Sequence, residues 1–319
     1  GSGMVQGYEH VDYLTGLKNV YGDKIVYKKD ISEREISSAD VVLYFIMRPS
    51  GEGFDVDFNL PDVRDSVNKI AQLNKKIVVI HSGGNGFSMP WLPSVKGFVF
   101  AYLLGQERGE ALANIISGKV NPSGKLPFTI EKDFNESPAK DYNKMTDGKY
   151  YWRGGKPNSQ EIRKQFGNIE MPYNEGIYIG YRWYEKKNIQ TQFSFGFGMS
   201  YTTFSFGKLS SSDKKITKNK PVSITCTVTN TGSVAGAEVV QLYVSDVKST
   251  VDRPVKELKD FKKVFLEPGA SKKVIVRIDW KDLAFWDDKG HQWKVEPGDF
   301  IIEAGSSSND IRQKITVSY

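Results

Sequence analysis

One carboxylate stands out by its frame. In Arg48-Pro49-Ser50-Gly51-Glu52-Gly53-Phe54-Asp55, Glu52 lies between two glycines. Glycines let the backbone turn sharply and expose a side chain, and Pro49 fixes the exit from the apolar run before it. A carboxyl group so placed can work as a general acid/base if its pKa is raised toward neutrality. Read alone, an acidic residue in a glycine-rich loop is far more often a solvated turn. A second loop, Ser82-Gly83-Gly84-Asn85-Gly86, has the composition of a phosphate cradle. Phe87-Ser88-Met89-Pro90-Trp91-Leu92-Pro93 follows it, however, in place of a helix opening on Lys-Ser or Lys-Thr. It reads better as a polar turn leading to an aromatic that lines a pocket, with Trp91 as the candidate ring. His10, His81 and His291 are far apart and at no metal-ligand spacing, so no metal site is expected. The single cysteine, Cys226, excludes an intrachain disulfide, and no Ser/His/Asp constellation is visible.

Both loops follow segments that read as strands. Val41–Met47 is a continuous apolar run with β-branched and aromatic members, suited to a strand covered on both faces. From Pro61, Val63, Val67, Ile70, Ala71 and Asn74 fall on one face of a helix, four of the five apolar. Lys76–Ile80 predicts a second buried strand and Phe98–Ala101 a third, and a helix over Glu107–Ser117 stops at Gly118. Strand–helix–strand units of this length imply a parallel α/β sheet with right-handed crossovers. In such sheets ligands bind beyond the carboxyl ends of strands, where the two loops sit. From Glu131 to Phe204 the periodicity dissolves into a Tyr-, Asn-, Lys- and Gly-rich stretch, and a long irregular segment is usually functional or wraps a neighbour. The last third alternates with period two: Val222, Ile224, Cys226, Val228; then Val240, Leu242, Val244; then Val274, Val276, Ile278. Turns at Asn230-Thr231-Gly232, Glu267-Pro268-Gly269 and Glu296-Pro297-Gly298 punctuate it, which predicts an antiparallel sandwich. The expected division is an α/β domain over 1–130, an irregular aromatic-rich connection over 131–205 packing on it, and a β-sandwich over 206–319.

A chain of 319 residues can bury two cores, and its 39% hydrophobic and 26% charged content is that of a folded, water-exposed protein. The net charge of +6 comes from lysines scattered in pairs such as Lys75-Lys76, Lys214-Lys215 and Lys272-Lys273. With no basic run or basic helix face, neither nucleic acid nor anionic lipid is the expected partner. No apolar run reaches the roughly 18–20 residues of a membrane span, so no membrane partner is expected. No signal peptide is visible, and Gly1-Ser2-Gly3-Met4 has the composition of a cloning remnant.

The motifs together resemble a known family. Ser50–Asp55 followed by Asn59-Leu60-Pro61 resembles the acid/base loop of glycoside hydrolase family 3. Gly105–Ala111, Asn121–Pro127, Tyr173–Arg182 and Phe195–Phe204 continue the likeness in the family's order, from about Tyr13 to the chain end. Val228–Gly232 through Gln241–Val244 is similar to the family's fibronectin type III-like domain. The resemblance implies a parallel-sheet α/β sandwich domain followed by a fibronectin type III-like β-sandwich. It also implies a retaining, exo-acting β-glycosidase of β-glucosidase or β-xylosidase type, acting on a β-linked oligosaccharide or glycoside without a cofactor. Glu52 matches the acid/base, which protonates the leaving oxygen and later activates water, with the nucleophile carboxyl about 5–5.5 Å away. Asp55, which matches a family aspartate, and Trp91 are the candidate substrate-binding residues, and the family leads one to expect a periplasmic or extracellular enzyme.

Three departures from the family pattern stand beside these matches. The (β/α)₈-like barrel that carries the family's aspartate nucleophile is absent here and needs about 200 or more further residues. It would come from a missing segment, from a partner chain, or from a part of the protein deliberately removed. The α/β domain lacks the usual opening strand before Thr15-Gly16-Leu17-Lys18, and Val56 stands where the family commonly has arginine. The rival reading is a non-catalytic sugar-binding or assembly module that keeps the fold.

Overall fold

In the computed structural model, which describes residues 7–28, 30–48, 56–140 and 173–319, the apolar runs near the N-terminus are parallel strands. The chain divides into two units: Gly1–Val120 with Glu131–Tyr173, and Asn121–Ile130 with Asn174–Tyr319.

In the first unit β1 (Val42–Met47), β2 (Ile77–Ser82) and β3 (Gly97–Phe100) form a parallel sheet in that order. Helix α3 (Pro61–Leu73) crosses from β1 to β2 and buries Val63, Val67 and Ala71. Each valine contributes roughly 1.5–3 kcal/mol by leaving water. Asn74, the polar member of that stripe, is buried because every polar atom of its side chain is used. Its Nδ2 donates to Ile36 O and Ala39 O, both at 2.8 Å, and its Oδ1 accepts from Lys76 N at 2.8 Å. One side chain thus joins the end of α2 (Glu33–Ser38) to the start of β2.

Helix α1 (Tyr13–Tyr21), capped by the Asp12 carboxylate on Thr15 N, was not foreseen from periodicity. It packs on α4 (Arg108–Ile116) with almost no gap. A Cβ on Gly16 would lie 2.1 Å from the Gly109 carbonyl carbon, and one on Gly109 would lie 1.8 Å from Asp12 O. Gly109, the second glycine in Gly105–Ala111, therefore serves helix contact rather than chemistry.

The second unit is an antiparallel sandwich. One sheet runs β11 (Asp310–Ser318), β10 (Asp299–Ser307), β7 (Gly236–Asp246), β8 (Glu257–Leu266). The other runs β4 (Phe204–Phe206), β6 (Val222–Asn230), β5 (Ser210–Ser211), with β9 (Ser271–Ile278) also paired to β6. The alternating positions named from sequence face inward: Val222, Ile224, Cys226 and Val228 meet Val240, Leu242, Val244, Phe300 and Ile302. Cys226 is enclosed there, and burial pushes its thiol up to about 11.

The connecting segment departs from its expected placement. Residues 174–205, with 121–130, belong to the sandwich unit rather than to the α/β sheet. The reason is a set of bonds between segments distant in sequence, which carry no periodicity. Leu126 N donates to Phe197 O and Gly196 N to Leu126 O, both at 2.8 Å. Gln241 Nε2, on β7, donates to Gly196 O at 3.1 Å. Asn121 Oδ1 accepts from Ser200 Oγ and Tyr201 N at 2.9 and 2.8 Å. Lys125 Nζ meets the buried Glu238 carboxylate at 2.8 Å. The motifs Asn121–Pro127 and Phe195–Phe204 are thus one folding unit, and Gly196 at φ 81° takes a conformation that favours glycine.

Candidate active site

The carboxyl ends of β1 and β2 meet over a small pocket. Beyond β1, Arg48 pairs with Asp62 in the first turn of α3, an exposed contact worth little by itself. On the far side of the loop, Asp57 Oδ1 accepts from Asn59 N at 2.9 Å. Leu60 then turns the chain into α3 with a left-handed φ of 38°. Phe58 O accepts from Ser88 N at 2.8 Å, which ties this entry to the segment that follows β2.

Beyond β2 the glycines run under an imidazole. His81 is 3% exposed, its ring edge-on to Phe87 at 4.7 Å and to Phe100 at 4.9 Å. A Cβ on Gly83 would lie 2.7 Å from its Cε1, so only glycine lets the backbone pass so closely over the ring. Burial lowers the His81 pKa, opposed in part by the nearby backbones of Asn85 and Ile46. Next to it, Ser82 Oγ accepts from Tyr13 OH at 3.0 Å and donates to Tyr102 O at 3.1 Å, holding the end of β2 to α1. The pocket has a volume of about 10 Å³, room for one water, and Arg48, Val56, Leu60, His81, Asn85 and Phe87 border it.

The structure treats the sequence candidates unequally. Glu52 and Asp55 lie outside the described residues, but Arg48 and Val56, which flank their loop, border the strand-end pocket. Trp91 does not line it. The indole is 1% exposed, enclosed by Phe87 at 6.4 Å and Phe98 at 5.9 Å, and no face is open to a ligand. Its size and its place after a polar turn suggested a binding ring, whereas its hydrophobic surface is spent on the core. Among the described residues no group of three or more His, Cys, Asp or Glu is arranged to hold a metal ion, and no helix is long and apolar enough to cross a membrane. His81, considered from sequence only as a metal ligand, borders the strand-end pocket, a placement that sequence reasoning missed. The signal was a polar residue at the end of an apolar strand, directly before Ser82-Gly83-Gly84.

The chain thus combines a parallel α/β unit, with a small pocket at its strand ends, and an antiparallel sandwich. The family model for the glycosyl hydrolase family 3 C-terminal domain matches residues 1–181, and a fibronectin type III-like domain model matches residues 238–308. The chain belongs to glycoside hydrolase family 3. It is 33% identical to a β-glucosidase of Bacteroides ovatus, over all of this chain and 45% of the relative. It is 38% identical to an exo-α-(1→6)-L-arabinopyranosidase of Bifidobacterium breve, over 88% of this chain and 35% of the relative. Among solved structures, the family 3 β-glucosidase of Bifidobacterium adolescentis superimposes with a TM-score of 0.83 at 33% identity, covering all of this chain and 46% of that one. The chain thus spans between about a third and a half of the length of the relatives it matches.

Proposed function

We propose that this chain contributes the acid/base half of a retaining, exo-acting β-glycosidase of β-glucosidase or β-xylosidase type, with Glu52 as the acid/base and Asp55 as a substrate contact. Family membership carries this reading, together with a glycine-framed glutamate whose flanks, Arg48 and Val56, border the strand-end pocket. The aspartate nucleophile is assigned to a (β/α)₈-like barrel outside residues 1–319, as the partial coverage of the relatives supports. Glu52 protonates the leaving oxygen as the glycosyl–enzyme forms, then takes the proton of the water that breaks it.

The test is Glu52→Gln in the enzyme with its barrel. Hydrolysis of alkyl β-glycosides is expected to fall by several orders of magnitude. Loss is smaller for nitrophenyl glycosides, whose leaving group needs little protonation, and azide restores part of it by replacing the activated water. A small effect, equal across leaving groups and unmoved by azide, refutes the assignment. Residues 1–319 alone are expected to hydrolyse no aryl β-glycoside above background, since the covalent nucleophile is elsewhere.

A further inference from the structure

Two tryptophans face water on a ribbon outside the two sheets of the sandwich. Past the short helix Trp280–Leu283, the strands Phe285–Asp287 and Gln292–Lys294 pair antiparallel as a two-stranded sheet of their own. Asp287 Oδ1 accepts from Lys289 N at 3.2 Å and helps to close the turn between them. The register sets Trp286 directly opposite Trp293, so both indoles stand on one face of the ribbon. The other face is tied to the sandwich: Phe285 lies under the Arg253 guanidinium, 5.7 Å from the ring centroid. Arg253 is itself held by Asp246 Oδ2 at 3.1 Å and Leu283 O at 3.0 Å. The indoles meet edge to face, with centroids 5.7 Å apart and planes at 76°. Such a contact uses one face of one ring and one edge of the other, and Trp286 and Trp293 remain 48% and 54% exposed. A pair of β-branched residues would steady the ribbon with less apolar surface in water, so the exposed rings call for a ligand.

We propose that the Trp286–Trp293 pair is a binding site for a neutral β-linked glycan, on a part of the chain that carries none of the residues proposed for catalysis. The size of the patch selects the class of ligand. One indole can bury about 150–250 Å², so two half-exposed ones offer about as much as one. A stable protein interface takes about 800 Å² from each partner, which excludes a second copy of the chain or another protein as the occupant of so small a patch. The charges also decide. Asp287 and Asp288 are balanced by Lys289 and Lys294 on the same ribbon, so no field of one sign draws a polyanion or an anionic lipid surface. A β-linked glucose unit suits what remains. Its faces are C–H surfaces that pack on the negative face of an indole. Rings crossed at 76° make a corner, in which one ring lies under the sugar and the other borders its edge. The exposed Asp288, His291 and Gln292, in and beside the turn, supply donors and acceptors for the hydroxyls. The choice of a glycan rests on the glycosidase reading above, whereas the site itself does not depend on the role of Glu52.

The experiment runs residues 1–319 through native gels containing hydroxyethylcellulose, a neutral β-linked glucan. The wild-type chain should be retarded. Trp286→Val with Trp293→Val keeps β-branched residues on the ribbon but removes both rings, and should weaken the affinity by about tenfold or more. Trp286→Tyr with Trp293→Tyr keeps a flat ring at each position and should retain most of it. A measurement on the wild-type chain covers the case in which the valine variant fails to fold. On addition of cellohexaose, the indole N–H resonances of Trp286 and Trp293 should shift, assigned by the loss of each signal in a single tyrosine variant. An unretarded wild-type chain, a folded valine variant retarded as strongly as wild type, or indole signals unmoved by cellohexaose overturns the proposal. Retardation by dextran sulfate in place of the neutral polymer overturns it too, as does self-association abolished by the valine pair without glycan binding. Absent binding with an inactive Glu52→Gln enzyme, barrel included, overturns this inference alone. Absent binding with undiminished Glu52→Gln rates overturns the reading beneath it as well.

Discussion

Replacing Asn230 by alanine should unfold the sandwich unit well below its normal temperature. Asn230 is fully buried at the end of β6, and its amide makes four hydrogen bonds. Nδ2 donates to Val234 O at 2.8 Å and Leu266 O at 3.0 Å, while Oδ1 accepts from Thr202 Oγ1 at 2.7 Å and Gly232 N at 3.1 Å. The backbone bonds of Asn230, to Ala270 O and from Gly269 N, do not involve the side chain and survive the change. Leu266 O and Thr202 Oγ1 are buried and would be left unpaired, at about 1–3 kcal/mol each. Val234 O and Gly232 N are partly reached by water and lose about 0.5 kcal/mol each. The total is about 3–7 kcal/mol. At roughly 2–4 °C per kcal/mol for a unit of this size, Tm should drop by about 6–28 °C. Scanning calorimetry of the whole chain, with the sandwich transition resolved from that of the α/β unit, measures it. Asn230→Asp keeps the shape but turns a carboxylate toward two carbonyl oxygens, so it should be at least as damaging at pH 7. It should improve in acid, because a carboxyl whose folded pKa is raised favours the folded state while protonated. A drop below about 2 °C for Asn230→Ala would refute the reasoning.

Two further changes probe the α/β unit. Gly109→Ala places a methyl group 1.8 Å from Asp12 O, so α1 and α4 must part, at a cost of about 2–3 kcal/mol or more; hydrogen exchange of the α1 amides should accelerate, and unchanged protection would count against the close packing. Glu35, held to about 2 by Lys28 and by the Ser32 cap, should stabilise the unit above pH 4.5 and lose that contribution as pH falls toward 2. Acid titration of Glu35→Gln should lack that component, and identical wild-type and variant profiles would exclude it.

Much of the framework was legible in the chain because it depends on nearest-neighbour periodicity. The β-branched runs at 41–47 and 76–80, the apolar stripe from Pro61 and the alternation at 222–228, 240–244 and 274–278 each match one repeat of backbone geometry. The proposed acid/base loop drew on another kind of signal: a glutamate between glycines after an apolar run is a local pattern, and the family resemblance rests partly on it.

Other features had no local signature. Helix α1 depends on Gly16 meeting Gly109, 93 positions away in the chain, and nothing within α1 announces that contact. Residues 174–205 join the sandwich through Gln241, Asn121 and Lys125, each bonding to a segment distant in sequence. The surroundings of Trp91 and His81 were illegible for the same reason. From sequence the indole was the pocket ring and the imidazole a failed metal ligand, whereas folding buries the indole against Phe87 and Phe98 and sets the imidazole at the pocket wall. Residue type and spacing determine which element a segment can form and what chemistry a side chain can perform. Whether that side chain meets a ligand or the core depends on which distant residues desolvate it, and only the tertiary structure decides that.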